Sequence, residues 1–476
     1  MELTGRAGGW KGTAPGGDLR RSSTVLLANT ASTSVLGIAF WVLVARRYPP
    51  AIVGASSALL SAMLLMANVA ELNLTSAMVR FLPTAGERDK AMILRCYLLV
   101  ASVGAAVAVL ALPLLRHLGS FERILHFGAA GAVWFVAAIA AWTIFALQDA
   151  VAIALRGSVW VLLENSAYGL AKLGAVAALA AVAPRLGIVV GWTVPMAATI
   201  PLMALVTFGR LVPANRRLGA VREEVSVRTL RRFVTYEYLT GTTGLATATG
   251  IQLLVISLLG ARQSAYFYVV WVAVTTLDVA LYNVGGSFIA EAARQPGRLA
   301  DHARSVLAHL TLLVAPAVAI CLAAAPTILS VFGARYSAHA STLLRLVALA
   351  ALPRLVVVMW MSVHRAERHV GRVFALQAAL SGALVLGCGL ALHYGGSLAA
   401  VGAVYLVCQA SAALVLAPGL HRRIRSATAG SPDLVRAPSA GTAPSGRAPS
   451  ARPLADGVPV EPSGVPAPRE GVARPA

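Results

Sequence analysis

Apolar residues run along this chain in blocks too long for strands and too uniform for the stripe of a surface helix. Twelve such runs follow one another, at 23–45, 52–79, 91–115, 128–150, 157–182, 187–209, 233–258, 265–289, 303–327, 340–362, 371–393 and 398–420. A helix that crosses a bilayer needs about 20 mostly apolar residues. In lipid only helices and closed barrels satisfy the backbone, and these runs are far longer than barrel strands. The pattern therefore predicts an all-α integral membrane protein of 12 transmembrane helices. Short polar breaks separate the runs except at one place. Arg210–Arg232, RLVPANRRLGAVREEVSVRTLRR, carries seven arginines in 23 residues, with long apolar sequence on both sides. This divides the chain into an N-terminal tail (1–22), an N-lobe of six helices (23–210), a basic cytoplasmic linker (211–232), a C-lobe of six helices (233–420) and a C-terminal tail (421–476).

Composition narrows the class. Of 476 residues, 58% are hydrophobic and only 12% charged, about half the charged share of a soluble domain, which excludes an ordinary soluble enzyme. The net charge of +21 would suit nucleic acid if the arginines gathered on one soluble face. They lie instead between apolar runs, so no nucleic-acid partner is expected. The tails and even-numbered loops, with their flanking turns, hold 30 of the 40 Lys and Arg. By the positive-inside rule both termini are then cytoplasmic and the chain is a multi-pass protein of the plasma (inner) membrane. Met1–Arg21 is polar and Gly-rich, and the run after it is too long for a signal sequence, so no cleaved signal peptide is expected. Ser431–Ala476 holds ten prolines among Ala, Gly and Ser, a Pro/Ala-rich composition that predicts disorder. The four cysteines lie in apolar runs without CxxC spacing or paired histidines, so neither disulfides nor a metal is expected. No phosphate-binding GxxxxGK[ST] loop and no long acidic outer loop is present, which argues against a motor or an enzyme.

Polar groups inside the spans carry the candidate chemistry, because an ionised residue at the bilayer centre costs about 2.5–3.5 kcal/mol on insertion scales. The first span opens with NTASTSVLGI from Asn29, and the seventh with LTGTTGLATATGI from Leu239. This likeness suggests a parallel duplication, in which substrate binds between the halves. The second span carries Asn68, Glu71 and Asn73. Glu71 is either a snorkelling end residue or a coupling group. The fifth carries Glu164, Asn165 and Lys172, and Asn165 and Lys172 share a helical face. Thr240, Thr243 and Thr247 in the seventh suit either close helix packing or a cavity wall. Asp278 and Asn283 stand in the eighth, and Arg345 and Arg354 in the tenth. Nine residues apart, those two arginines point to opposite faces of a regular helix. The candidate substrate-binding residues are thus Asn29, Asn73, Asn165, Lys172, Thr240, Thr243, Thr247, Asn283, Arg345 and Arg354, with Glu71 and Asp278 as candidates for ion coupling.

Four stretches resemble the polysaccharide-export (Wzx-like) flippases of the MATE/MOP superfamily: LLANTASTSVLGIAFWVLVARRYPPAIVGASSALLS, ELNLTSAMVRFLPTAG, FALQDAVAIALRGSVWVLLEN and LGARQSAYFYVVW. The resemblance spans residues 22–420. It implies two six-helix lobes in a V around a cavity open alternately to either side. It implies a lipid-linked oligosaccharide as cargo, H⁺ or Na⁺ coupling and no soluble cofactor, with the polysaccharide polymerase and glycosyltransferases as partners. A lipid diphosphate is an anion, which Lys172, Arg345 or Arg354 would complement. The rival readings are a MATE-type multidrug exporter, a major-facilitator transporter, whose signature loop RFLPTAGERDK does not match, and a membrane glycosyltransferase or a scaffold.

Overall fold

The computed structural model describes residues 15–117, 128–217, 227–273, 275, 299–367 and 369–426. The helices of the N-terminal half are α1 (Pro15–Arg47), α2 (Pro50–Glu71), the short α3 (Leu74–Phe81), α4 (Asp89–His117), α5 (Gly128–Ala154), α6 (Ser158–Val182) and α7 (Gly187–Val206). Those of the C-terminal half are α8 (Val227–Leu259), α9 (261–273), α10 (Leu299–Ser330), α11 (Ala334–Ala366), α12 (Val370–His393) and α13 (Leu398–Ser426). Among the described residues, 11 helices are long and apolar enough to cross a membrane. The predicted eighth span continues past α9 beyond the described residues, and Asp278 and Asn283 lie there, outside them. Large apolar side chains such as Leu110, Val182, Leu312, Leu414 and Val415 are exposed on the outer faces of the helices. An all-α membrane protein explains that surface, because lipid replaces water there.

Two local features depart from the reading by runs. The predicted second span, 52–79, is broken. Leu72 and Asn73 stand in the left-handed region at φ 51° and 58°, ending α2 and starting α3. Asn tolerates that conformation, and the Ser76 hydroxyl donates to Asn73 Oδ1 at 2.8 Å. The basic segment after Arg210 is in part helical. α7 runs through a π-turn (Thr207–Leu211) into Val212–Arg217, and α8 already begins at Val227. Arg216 fixes the end of this extension by donating to Asp89 at the start of α4, at 2.9 Å from Nε and 2.5 Å from Nη2.

The helix contacts repeat. α1 packs on α6 as α8 packs on α12. α4 packs on α5 as α10 packs on α11. The α6–α7 and α5–α7 pairs recur as α12–α13 and α11–α13. These four pairs of the first half thus have counterparts six spans later.

α1 starts on what is called here the near side and ends on the far side. Helices from both halves meet in one continuous hydrophobic cluster toward the far side, joining Phe40, Trp41 and Val53 to Tyr266, Leu343 and Leu392. Toward the near side the clusters separate. Met78, Ile93 and Leu147 belong to the first half alone, and Leu310, Leu355 and Val373 to clusters of the second. Close backbone approach makes the far-side seam possible: a Cβ on Gly54 would overlap the Ala261 carbonyl. Arg46 Nε donates to the Val331 carbonyl at 2.7 Å across the same end.

Candidate functional site

The buried stripe of α6 reads Ser158, Val161, Glu164, Asn165, Tyr168, Gly169, Lys172 and Val176, a spacing of three and four residues that turns one face inward. In an ordinary helix this face would be apolar. Here it carries an acid, an amide and an amine, all at least nine-tenths buried.

Lys172 sits near the middle of α6. Its Nζ lies over three aromatic rings: 4.1 Å from Trp192 of α7, 4.9 Å from Tyr168 of its own helix and 5.1 Å from Phe40 of α1. Ammonium within about 6 Å of a ring centroid is attracted to the ring face. Among the described residues no carboxylate pairs with it. The rings belong to a larger group. Phe40, Trp41 and Trp192 are mutually packed, Trp192 meets Trp142 at 6.0 Å, and Phe145 meets Tyr168 at 5.1 Å. Trp41 also meets Tyr268 of α9 at 4.5 Å, which carries the aromatic group across to the second half. α6 can approach α1 this closely because Gly169 faces Leu36 with no side chain between them.

Toward the near side of Lys172 lies a polar cluster. Gln148 and Asp149 on α5 face Glu164 and Asn165 on α6. Gln148 Nε2 donates to Glu164 Oε1, and Asn165 Nδ2 donates to Asp149 Oδ2 at 3.0 Å. Each carboxylate thus spends one oxygen on an amide. The other oxygens, Asp149 Oδ1 and Glu164 Oε2, are buried without a partner, as are Gln148 Oε1 and the Tyr97 hydroxyl.

A separate cavity of about 260 Å³ opens between the halves at the near side. Asn68, Glu71, Asn73 and Ser76 line it from the first half, and Glu237 and Thr242 from the second. The Tyr238 hydroxyl donates to the Val69 carbonyl at 2.7 Å, and Thr242 to Asn68 Oδ1 at 3.0 Å. Glu237 accepts from Arg365 at 2.8 Å. Deeper along the α2–α8 seam, Gln252 Nε2 donates to Ser57 and Ser264, at 3.2 and 2.7 Å.

The residues singled out from sequence are thus dispersed. Asn165 and Lys172 share one buried face. Asn29 lies on α1, one turn before the Ser32–Ser166 hydrogen bond of 2.9 Å that ties α1 to α6, with a buried, unpartnered Oδ1. Glu71 and Asn73 border the near-side cavity. Thr240 and Thr247 bond carbonyls of their own helix, Tyr236 and Thr243, at 2.7 and 2.8 Å. They are buried on the face that carries Gly244, which meets Gln377 of α12. Tyr238, Thr242, Thr249 and Gln252, on the opposite face of α8, are the residues that reach the first half. Arg345 is exposed and donates to the Leu322 carbonyl at 3.0 Å. That carbonyl lacks its helical donor because residue 326 is proline. Arg354 lines a separate small cavity of about 80 Å³ inside the second half. Asp149, Gln148, Tyr97 and the three rings were not among the sequence candidates. The one sequence signal for them is the matched amide–acid dyads Gln148-Asp149 and Glu164-Asn165, 16 residues apart. The four cysteines are free, and no metal-binding group of His, Cys, Asp or Glu occurs among the described residues.

The sequence matches no protein-family model and no curated protein. Solved structures match the fold across most of the chain. The inward-facing form of a multidrug resistance MATE family transporter of the MOP superfamily superposes with TM-score 0.59 at 14% identity, over 84% of this chain and 96% of that one. A MATE structure in complex with MaL6 gives 0.58 at 13%, over 88% and 98%. A MOP superfamily transporter from Pyrococcus furiosus, described as having a binding pocket of reversed polarity, gives 0.55 at 14%, over 87% and 97%.

Proposed function

We propose that this chain, which shares the fold of the MOP superfamily transporters, moves a lipid-linked (diphosphate) oligosaccharide from the inner to the outer leaflet by alternating access. Lys172 carries the reading. A buried ammonium resting on three ring faces, with no carboxylate beside it among the described residues, keeps its charge available for an anion. Ring faces offer about 0.5–2 kcal/mol each, and a diphosphate in low dielectric would outbid them. Asn165 and Asn29, on the same side of the first half, would bond sugar hydroxyls, and the lipid tail would stay in the bilayer.

The hydrophobic cluster that joins the halves toward the far side, with no shared cluster toward the near side among the described residues, where Tyr238 and Thr242 of α8 hydrogen-bond α2, fits a state that accepts cargo from the near side. Positive-inside counting makes that side cytoplasmic. The transporter would then act in the plasma membrane beside the polymerase and glycosyltransferases of surface polysaccharide assembly. Cation coupling supplies the work, with Glu71 in the near-side cavity and Asp278 as its sequence candidates. The protein would perform no covalent chemistry.

One observation favours a second reading, cation-coupled multidrug export. The interior of the first half is rich in aromatic rings and holds a buried acid, Glu164, beside the part-buried Asp149, a lining suited to lipophilic cations.

Purified protein in proteoliposomes decides between the two. The expected result is flipping of a fluorescent polyprenyl-diphosphate oligosaccharide, lost at least ten-fold in Lys172→Ala and partly kept in Lys172→Arg. Flipping that is indifferent to Lys172 would sink the reading. Ethidium transport without lipid flipping would establish the drug exporter.

A further inference from the structure

We infer that Asp149 and Glu164, with Gln148, Asn165 and Tyr97, form a monovalent-cation site, and that filling it strengthens anion binding at Lys172. The second half of this inference rests on the proposed function; the first does not.

The dyads on α5 and α6 are zipped crosswise. Gln148 donates to Glu164 and Asn165 donates to Asp149, so each carboxylate is oriented by an amide from the other helix. Four oxygens remain unpartnered: Asp149 Oδ1, Glu164 Oε2, Gln148 Oε1 and the Tyr97 hydroxyl. Gln148 is 1% exposed, and Glu164, Asn165 and Tyr97 are each 8% exposed. Two adjacent carboxylates, Glu164 buried and Asp149 part-buried, with no guanidinium or ammonium bonded to them among the described residues, do not both stay ionised and bare. A proton or a Na⁺ ion fits this set of hard oxygen donors, and acids inside membrane spans usually mark such ion paths.

The surrounding charges give the sign of the coupling. On α6 itself the titratable groups are Glu164, Tyr168 and Lys172. α5 contributes Asp149, and α4 contributes Tyr97 with Cys96 beside it in sequence. α4 also carries the exposed Arg95, and among its described side chains α1 brings Arg46 and Arg47 at its far end, followed by Tyr48, whose hydroxyl donates to the Val176 carbonyl. Gly187–Val206 of α7 carries none. Arg156, in the turn between α5 and α6, and Arg210, over the Trp160 ring, lie toward the near side. Lys172 is therefore the one buried cation on these packed faces, and the acid pair is the negative charge nearest to it along α6.

Eight residues of helix separate Glu164 from Lys172, about 12 Å along the axis. An ionised carboxylate at that distance weakens anion binding at Lys172 about ten-fold per charge at an effective dielectric near 20. A cation in the site removes that repulsion. By linkage, the anion raises cation affinity by the same factor. Cation and anion are thus bound together rather than in exchange.

The test uses the full chain in nanodiscs and reads two things separately. The first is the cation itself: ²²Na⁺ binding, and proton uptake between about pH 5 and 9, in wild type, Asp149→Asn and Glu164→Gln. Saturable Na⁺ binding lost in both variants makes it a sodium site. No Na⁺ binding, but proton uptake reduced by about one in each variant, makes it a proton site. Neither result, in variants with wild-type melting and elution, overturns the inference.

The second reading is binding of farnesyl diphosphate, a short polyprenyl diphosphate, with and without the cation. The expected gain is about ten-fold per unit charge of the probe, hence about a hundred-fold or more for the diphosphate. Lys172→Ala should lose the probe and still take up the cation. A protein that binds the probe equally well at every cation level overturns the coupling. A protein that binds the cation and never the probe leaves the site standing and removes the proposed cargo.

Discussion

Lys172 is held by contacts of about the same size as the cost of putting it there. Three ring faces at 4.1–5.1 Å contribute about 0.5–2 kcal/mol each, whereas desolvating an unpaired ion costs several kcal/mol even after relaxation. The amine therefore adds little or nothing to the stability of the resting protein. Lys172→Met, which keeps the length and drops the charge, should raise the melting temperature in detergent, by about 1 kcal/mol or more of stability, while transport falls. A lower melting temperature would mean that the rings fully compensate the charge. Arg345 is the contrasting case. It is a cation within a predicted span, yet it answers a local need, the Leu322 carbonyl left open by Pro326. A charge in an apolar run is therefore not by itself a ligand site, and what lies opposite it decides.

At the scale of elements, the break between α2 and α3 stands out. Two consecutive non-glycine residues in the left-handed region, Leu72 and Asn73, cost about 1–2 kcal/mol where the side chain is unsuited. The break lies beside the near-side cavity, and Tyr238 of the other half bonds the Val69 carbonyl just before it. Asn73→Val should destabilise the protein by about 1 kcal/mol, and Leu72→Gly should be neutral or stabilising, both read from thermal unfolding. Equal effects of the two substitutions would show that backbone strain is not stored there. The helix pairs of the first half recur in the second, yet the charged face of α6 has no equivalent among the described residues of α12, whose buried positions are Val370, Val373, Ser381, Leu384, Cys388 and Leu392. The duplication is one of architecture, and the buried charges of α6 are not repeated on the described residues of α12.

At the scale of the whole molecule, alternating access requires the far-side cluster to part and the near-side gap to close. The seam of α2 with α8 and α9 runs through both ends, from Gly54 against Ala261 at the start of α9 to Asn68 against Thr242 of α8. Thr249 and Ser61 meet midway along it, with a hydroxyl-to-carbonyl distance of 3.3 Å. Cysteines at these two positions, joined by a short thiol-reactive linker, should stop transport in proteoliposomes, and a cleavable linker should restore it on reduction. Unimpaired transport in the cross-linked protein would show that this part of the seam does not open.

The sequence alone determined the solvent of this protein and the number of its layers. Apolar runs of membrane length leave the backbone one way to satisfy itself, and 11 of the 12 expected spans are helices of that length among the described residues. It also marked Lys172 and Asn165, because a charge or an amide in an apolar run is conspicuous without any partner being known. Hydropathy could not set the rotation of one helix against another. Phe40, Tyr168 and Trp192 look like any lipid-facing aromatics until α1, α6 and α7 pack, and Gln148 and Asp149 look like the polar end of a span until α5 brings them to Glu164 and Asn165. The threonines of α8 were conspicuous by composition, but helix rotation places Tyr238, Thr242, Thr249 and Gln252 at the seam and turns Thr240 and Thr247 away from it. A run records that a residue is in the membrane; only packing decides what it faces.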